Sequence, residues 1–238
     1  MEKIDVQLPA WIATHASLGD HVDLEDDTEF SPDERFWYYL TLFCPLIFES
    51  YALLLHPFWI KNLDPSLASF NYKDHKNNFK PLNWPTFFQL YNQDFSLENA
   101  LSVKEQIRLE LLVSEKWPDN IWFPAEGDIE EYQIQRIRDV LLKEYGDIEV
   151  SYYYVVLKTQ SWETDITYRG RLSELESLWL LDDLRDSPSA IYPDSKEWCI
   201  VTNYDSEVTY IGGRKELIKR LTSLDRCDIY EIEPKRAK

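Results

Sequence analysis

The chain has 238 residues, and its 43 acidic against 25 basic side chains give a formal net charge of −18. Aromatic residues make up 15% of the chain, whereas glycine contributes only six residues. This composition excludes a disordered, collagen-like or linker-rich chain. The negative charge disfavours nucleic acid as a partner, because phosphate backbones attract Lys and Arg.

The first 34 residues carry half of the net charge, with ten acids and one base. Two interpretations stay open for this acidic N-terminal arm. It is either a solvated, partly mobile segment or a docking surface that steers a basic partner. The first twenty residues lack a basic start followed by an apolar run, so we expect no signal peptide. We therefore expect a cytoplasmic protein.

The segment 36–60 is long and apolar enough to raise the question of a membrane span. Two prolines interrupt it, and Glu49 would be costly in a bilayer. We predict instead a strand over 36–44, a helical turn over 48–51 and a second buried strand over 52–56. No membrane association is expected.

The middle of the chain alternates polar and helical segments. Residues 61–83 are polar and predict a surface excursion, and 117–124 predict an aromatic, proline-punctuated loop. Helices are predicted over 84–91, 96–115 and 128–145. The last is the best of them, since its apolar residues follow helical spacing and acids begin it.

The last third is typical of a sheet with short helices between strands. Strands are predicted over 148–158, 165–169, 198–203, 207–211 and 228–233. A helix is predicted over 173–183, with Ser173 as its cap and Glu176 completing a capping box. A second is predicted over 214–224, and a loop over 187–193.

This order predicts an α+β fold, in which helices pack on an antiparallel sheet. After the arm at 1–34, residues 35–238 are predicted to form a single domain. A division into two subdomains, 35–146 and 147–238, is left open.

Few residues suggest chemistry. His56 follows an apolar strand that Glu49 precedes, so the two side chains could form an acid–base pair, a ligand contact or a polar contact inside the core. Asp205 ends a strand, where it could shape the turn or line a site. Gly212 and Gly213 form either an anion-binding turn or a tight turn that lets the next helix pack on the sheet.

Metals and cofactors are not expected. The three cysteines, Cys44, Cys199 and Cys227, are far apart and show no zinc-ligand spacing with histidine. No phosphate-binding, zinc-protease or nucleophile-elbow motif is present in the sequence.

The aromatic residues exceed what a core of this size needs, so some of them should lie at the surface. The aromatic residues concerned are Trp117, Trp122, Trp162, Trp179, Trp198 and the run Tyr152–Tyr154. Exposed aromatics among acids are typical of protein interfaces. The alternative is that they pack at the edge of the core.

Three groups of residues resemble a bacterial protein family that has no assigned chemistry. They are Phe48-Glu49-x-Tyr51 with Leu55-His56-Pro57, Trp117-Pro118 with Pro124-x-Glu126-Gly127, and a third from Pro193 through Trp198, Thr202, Tyr204, Asp205, Tyr210 and Gly212-Gly213 to Glu216-Leu217-Ile218. This resemblance implies a shared architecture. In composition and class the chain is also similar to the acidic immunity proteins that bacteria direct against basic toxins.

The sequence thus favours a non-enzymatic binding protein, of the immunity or inhibitor type, for a basic partner protein. Its expected binding residues are Glu49, His56, Trp198, Tyr204 and Asp205. The alternative is a small-molecule-binding protein or hydrolase that uses Glu49, His56 and Asp205, which requires these three residues to converge in one pocket.

Overall fold

A computed structural model describes residues 1–5, 8–13, 45–61, 79–97, 100, 120–204 and 206–233. The chain divides into two compact units. Unit 1 comprises Met1–His56 and Glu126–Lys238, and unit 2 comprises Pro57–Ala125. The possible boundary at residue 146 falls inside unit 1.

Unit 1 is built on an antiparallel sheet of eight strands, which confirms the predicted α+β class. In chain order its strands are β1 (Glu2–Ile4), β2 (Ser50–Leu55), β6 (Glu149–Tyr154), β7 (Ile166–Arg171), β8 (Ala190–Tyr192), β9 (Cys199–Val201), β10 (Val208–Gly213) and β11 (Asp228–Ile232). Their order across the sheet is β1-β7-β6-β8-β9-β10-β2-β11. Strand β2 is buried throughout because β10 and β11 pair with its two edges.

Helices cover one face of this sheet. They are α3 (Glu131–Tyr145), α4 (Lys215–Leu221) and a 3₁₀-helix (Leu172–Leu180). Helix α3 buries Ile134, Ile137 and Leu141 at helical spacing against the sheet core. It begins three residues later than predicted, because Asp128 accepts a hydrogen bond from the Ser187 backbone N–H at 2.8 Å and so belongs to a loop contact.

The other face is covered in part by the N-terminal segment, which includes α1 (Ala10–Ala13). The ring of Trp11 packs edge-on against Tyr192 at 5.6 Å, and Ile12 is buried. Strand β1 adds to the sheet by pairing with β7, and Lys3 forms an ion pair with Asp183. Within the predicted arm, residues 1–5 and 8–13 are therefore held to unit 1 by backbone pairing with the β7 edge and by an apolar contact. Residues 6, 7 and 14–34 of the arm lie outside the described residues.

Within its described residues, unit 2 holds a three-stranded antiparallel sheet and a helix of seven residues. The elements are β3 (Phe58–Lys61), β4 (Phe79–Leu82), α2 (Trp84–Leu90) and β5 (Ile121–Trp122). Helix α2 begins where predicted, since the side chain of Asn83 accepts the Thr86 backbone N–H. Its Phe87 ring stacks on Phe58 with centroids 3.7 Å apart.

Two segments, predicted as a helical turn and as a loop, contain strand residues instead. Residues 48–51 do not form a helical turn, because Ser50 and Tyr51 pair with Gly213 and Gly212 of β10. A Cβ atom on Gly212 would lie 2.2 Å from the ring of Phe48, so a glycine allows this close approach. The predicted loop 187–193 contains β8, which is too short for its sequence to show alternation.

The predicted capping box of the 173–183 helix is also wrong. Glu174, not Glu176, reaches back to accept the Arg171 backbone N–H at 2.6 Å. Ser173 donates through both its backbone N–H and its hydroxyl to Asp147. The predicted strand over 36–44, and most of the segments 61–83 and 96–115, lie outside the described residues.

Candidate functional site

The predicted site residues lie at the two ends of β2. Glu49 immediately precedes the strand and His56 immediately follows it. Seven residues of extended chain separate their Cα atoms by roughly 20 Å. These two side chains therefore do not form the acid–base pair that the sequence suggested.

Glu49 and Trp198 lie at the same end of the sheet in different settings. Glu49 is exposed, and its Oε2 accepts the Lys215 backbone N–H at 3.3 Å. Trp198 is fully buried, with its ring 6.3 Å from that of Tyr145. Its indole N–H has no hydrogen-bond partner within the described ranges. A fully buried Trp198 supports the core and offers no surface to a partner.

His56 lies at the opposite end and is fully buried in a chain of hydroxyl groups. Its Nε2 is 2.9 Å from the Thr209 Oγ1, which in turn is 2.7 Å from the Thr202 Oγ1. The His56 backbone N–H donates to the Glu207 carbonyl. These contacts agree with the interpretation of His56 as a polar core residue that is satisfied by hydrogen bonds.

Tyr204 is half-buried near this end, where its backbone packs directly over Gly127. A Cβ atom on Gly127 would lie 2.3 Å from the Tyr204 carbonyl oxygen, and Gly127 has a φ of +69°. Both facts require glycine at this position. Asp205 lies outside the described residues, so its part in a common pocket stays a prediction.

A buried lysine that the sequence analysis missed lies beside these hydroxyl groups. Lys158 is 1% exposed, and its Nζ donates to the Ser187 carbonyl at 3.0 Å and to the Thr202 carbonyl at 3.4 Å. Burial lowers the pKa of Lys158 to about 8, against the attraction of Asp128 and Asp186. In the sequence Lys158 only ends a predicted strand, so nothing local indicates its burial.

Asp186 shares this environment. Burial and the nearby Asp128 raise the pKa of its carboxyl group, whereas Lys158 and Arg185 oppose that rise. The buried amine therefore has two carboxylates nearby and donates hydrogen bonds to two carbonyl groups. This arrangement holds the segment around Lys158 to the segment around Ser187.

The same two segments carry an exposed apolar surface. Leu157 and Trp162 lie on the first, and Trp179 and Leu180 end the 3₁₀-helix that leads into the second. Their exposed fractions are 36%, 60%, 38% and 82%. We call these four residues, with Glu163, Asp182 and Arg185, the Trp162 surface. Apart from this surface, the large exposed hydrophobic side chains described in unit 1 are Met1 and Ile47.

Backbone pairing holds the Trp162 surface together. Thr159 and Leu184 form an antiparallel bridge, and the Gln160 backbone N–H donates to the Asp183 carbonyl at 2.9 Å. The Arg185 backbone N–H donates to the Lys158 carbonyl at 3.1 Å. Backbone pairing therefore holds the chain next to the buried amine, and Trp162 follows two residues after the last paired residue of its segment, Gln160.

The carboxylates on the Trp162 surface and that of the neighbouring Asp183 differ in their partners. Asp183 accepts the Tyr168 hydroxyl at 2.8 Å and pairs with Lys3. Glu163 and Asp182 form no ion pair within the part of the chain that the structure describes. Two unpaired negative charges thus lie beside exposed aromatic rings, a composition that suits contact with a cationic surface.

The described ranges hold no group of three or more His, Cys, Asp or Glu side chains placed to bind a metal ion. Within those ranges, no helix has the length and apolar character that crossing a bilayer requires. Comparisons of the chain with models of protein families, with curated proteins and with solved structures find no match.

Proposed function

We propose that this chain is a non-enzymatic binding protein that recognises a basic partner protein through the Trp162 surface. The observation that carries the proposal is the exposure of Leu157, Trp162, Trp179 and Leu180 along the chain from Glu163 and Asp182, whose carboxylates form no ion pair with the other described residues. Large aromatic and aliphatic side chains supply the contact area of an interface core. Unpaired acids around them select a cationic partner.

The overall charge supports the same function. A net charge of −18 creates a field that attracts a basic protein and raises its rate of association. We infer that the chain acts as an inhibitor of the immunity type on a basic toxin in the bacterial cytoplasm, with long-range attraction and aromatic anchors acting together. The polar residues of the core favour this function over hydrolysis, since His56 and Lys158 already bind protein groups.

Affinity capture from a lysate of the source cells tests the proposal. The bait proteins are the wild type, Leu180→Ser in the Trp162 surface, and Ile47→Ser as a matched control at an exposed apolar side chain elsewhere in unit 1. We expect the wild type and the control to retain the same basic protein and the Leu180 variant to lose it. Retention of an identical set of proteins by all three baits would contradict the proposal.

The salt dependence of association gives a second readout. Because attraction between exposed charges is screened over about 10 Å at 0.1 M salt, the association rate should fall markedly as salt is added. Stopped-flow measurements with the captured protein check this expectation. An association rate that is independent of ionic strength would rule out electrostatic steering.

A further inference from the structure

Trp162 is the most unusual residue of the surface, because three features coincide there. Its side chain is 60% exposed, its backbone has a φ of +56°, and a guanidinium lies over its ring. A bulky residue seldom adopts a left-handed backbone, and such positions concentrate where a ligand is bound. The exposure of the side chain, the positive φ of the backbone and the contact of the ring with a guanidinium are three independent observations on one residue.

The guanidinium over the ring belongs to Arg185, whose Cζ lies 5.1 Å from the ring centroid. This is the distance at which a cation is attracted by the negative face of an indole. Arg185 is exposed and forms no ion pair with the described residues. The ring therefore already holds a cation, and the observed contacts bind that cation's side chain only weakly.

The surroundings of the ring suit a cation from outside as well. Glu163 follows Trp162 directly, and its carboxylate forms no ion pair with the other described residues, so an ammonium or guanidinium group on the ring would have an anion nearby. The frame beneath is fixed by the pairing of Gln160 with Asp183 and by the buried amine of Lys158. Because the chain that leads to Trp162 is already held, binding has less of this segment to order.

We propose that the indole of Trp162 receives an arginine or lysine side chain of the basic partner, and that Arg185 occupies the ring until the partner displaces it. This inference rests on the proposed function and names the chemical group that the surface recognises. Arg185 is then an intramolecular competitor. Removing Arg185 should strengthen binding, whereas removing the ring should weaken it.

The test uses a peptide of four Arg-Gly repeats with blocked ends, and a Gln-Gly peptide of the same length as control. Binding is followed by NMR on the indole N–H resonances of the full chain, with that of Trp162 assigned by its loss in Trp162→Asn. We expect the Arg-Gly peptide to shift the Trp162 resonance and to leave that of the fully buried Trp198 in place. The Gln-Gly peptide should shift neither.

Two charge-matched variants separate the specific competition from a general charge effect. Arg185→Gln and Lys143→Gln each remove one exposed positive charge, but Lys143 lies on helix α3. An exposed cation–ring contact is worth a factor of roughly two to five in affinity. We expect Arg185→Gln to tighten peptide binding by such a factor, Lys143→Gln to change it less, and Trp162→Asn to weaken it.

Each outcome decides the matter. If the Arg-Gly peptide binds but Trp162→Asn binds it equally well, or if Arg185→Gln has no more effect than Lys143→Gln, the ring is not the cation site and the proposed function stands alone. The same conclusion follows if the peptide does not bind and a captured basic protein binds the wild type and Trp162→Asn with equal affinity. If neither the peptide nor a basic protein binds the wild type, both the inference and the proposed function fall.

Discussion

The polar interior and the exposed surface of unit 1 differ in whether their polar side chains have bonding partners among the described residues. Inside, His56, Thr209, Thr202 and Lys158 are joined to one another or to backbone carbonyls by hydrogen bonds. Outside, the acids beside Trp162 lack ion-pair partners among the described residues. His56 and Lys158 are thus hydrogen-bonded to protein groups, whereas Glu163 and Asp182 form no ion pair with the other described residues. The difference indicates that substitutions inside should affect stability and substitutions outside should affect binding.

The largest effect on stability is expected inside, at Thr209. Thr209→Val keeps the shape of the side chain but removes the hydroxyl that His56 and Thr202 both contact. A buried polar group that loses its partner costs about 1–3 kcal/mol, so we expect a loss of about 2 kcal/mol in urea unfolding. Thr209→Ser keeps the hydroxyl and serves as control. A valine variant as stable as the serine variant would contradict the importance of the hydroxyl.

The buried amine should make stability depend on pH. The pKa of Lys158 is about 8 in the folded state, below its ordinary value of 10.5, so the folded state releases this proton first. Its charge therefore destabilises the protein below pH 8, and this cost diminishes as pH rises towards 10.5.

Comparing the wild type with Lys158→Met separates the pH dependence of stability that is due to Lys158 from the part that is due to the tyrosines and Cys227. Between pH 7 and pH 9 the free energy of unfolding of the wild type should rise by about 1 kcal/mol relative to the variant. Chemical denaturation at pH 7, 8 and 9 measures the difference. A difference that stays constant or falls over this range would show that Lys158 does not titrate there.

At Trp162 the comparison concerns backbone strain. Both Trp162→Asn and Trp162→Ala remove the ring, but asparagine tolerates a positive φ better than alanine does. We expect the asparagine variant to be more stable by up to about 1 kcal/mol, measured by thermal unfolding. An alanine variant of equal or greater stability would mean that the left-handed backbone is not retained.

The smallest effect on stability is expected at Leu180. Its side chain is 82% exposed, so Leu180→Ser should change the free energy of unfolding by less than about 0.5 kcal/mol. The same substitution should abolish capture of the basic partner. A clear loss of stability on denaturation, larger than that of Ile47→Ser, would place Leu180 in the fold instead of the interface.

Local sequence signals predicted the elements that depend on local physics. The helix at 128–145 and the hairpin of β9 and β10 were predictable because spacing and turn residues are encoded within each segment. Strands β1 and β8 have three residues each, and neighbouring strands define them. Their existence could not be read from so short a pattern.

The candidate site was predictable only in general terms. The aromatic content indicated that some rings lie at the surface, and Trp122, Trp162 and Trp179 do so, whereas Trp198 and Tyr152–Tyr154 are buried. The position of Trp162 depends on the pairing of the segment after β6 with the segment before β8. The burial of Lys158 depends on the same long-range contact, which no nearby residue signals.

Hydrogen–deuterium exchange of the protein with and without its captured basic partner tests the central claim most directly. Recognition through the Trp162 surface predicts slower exchange in residues 157–163 and 179–185 of the complex, with little change around His56. Protection confined to residues 49–56 and 198–204 would contradict it and would place binding at the ends of β2 instead.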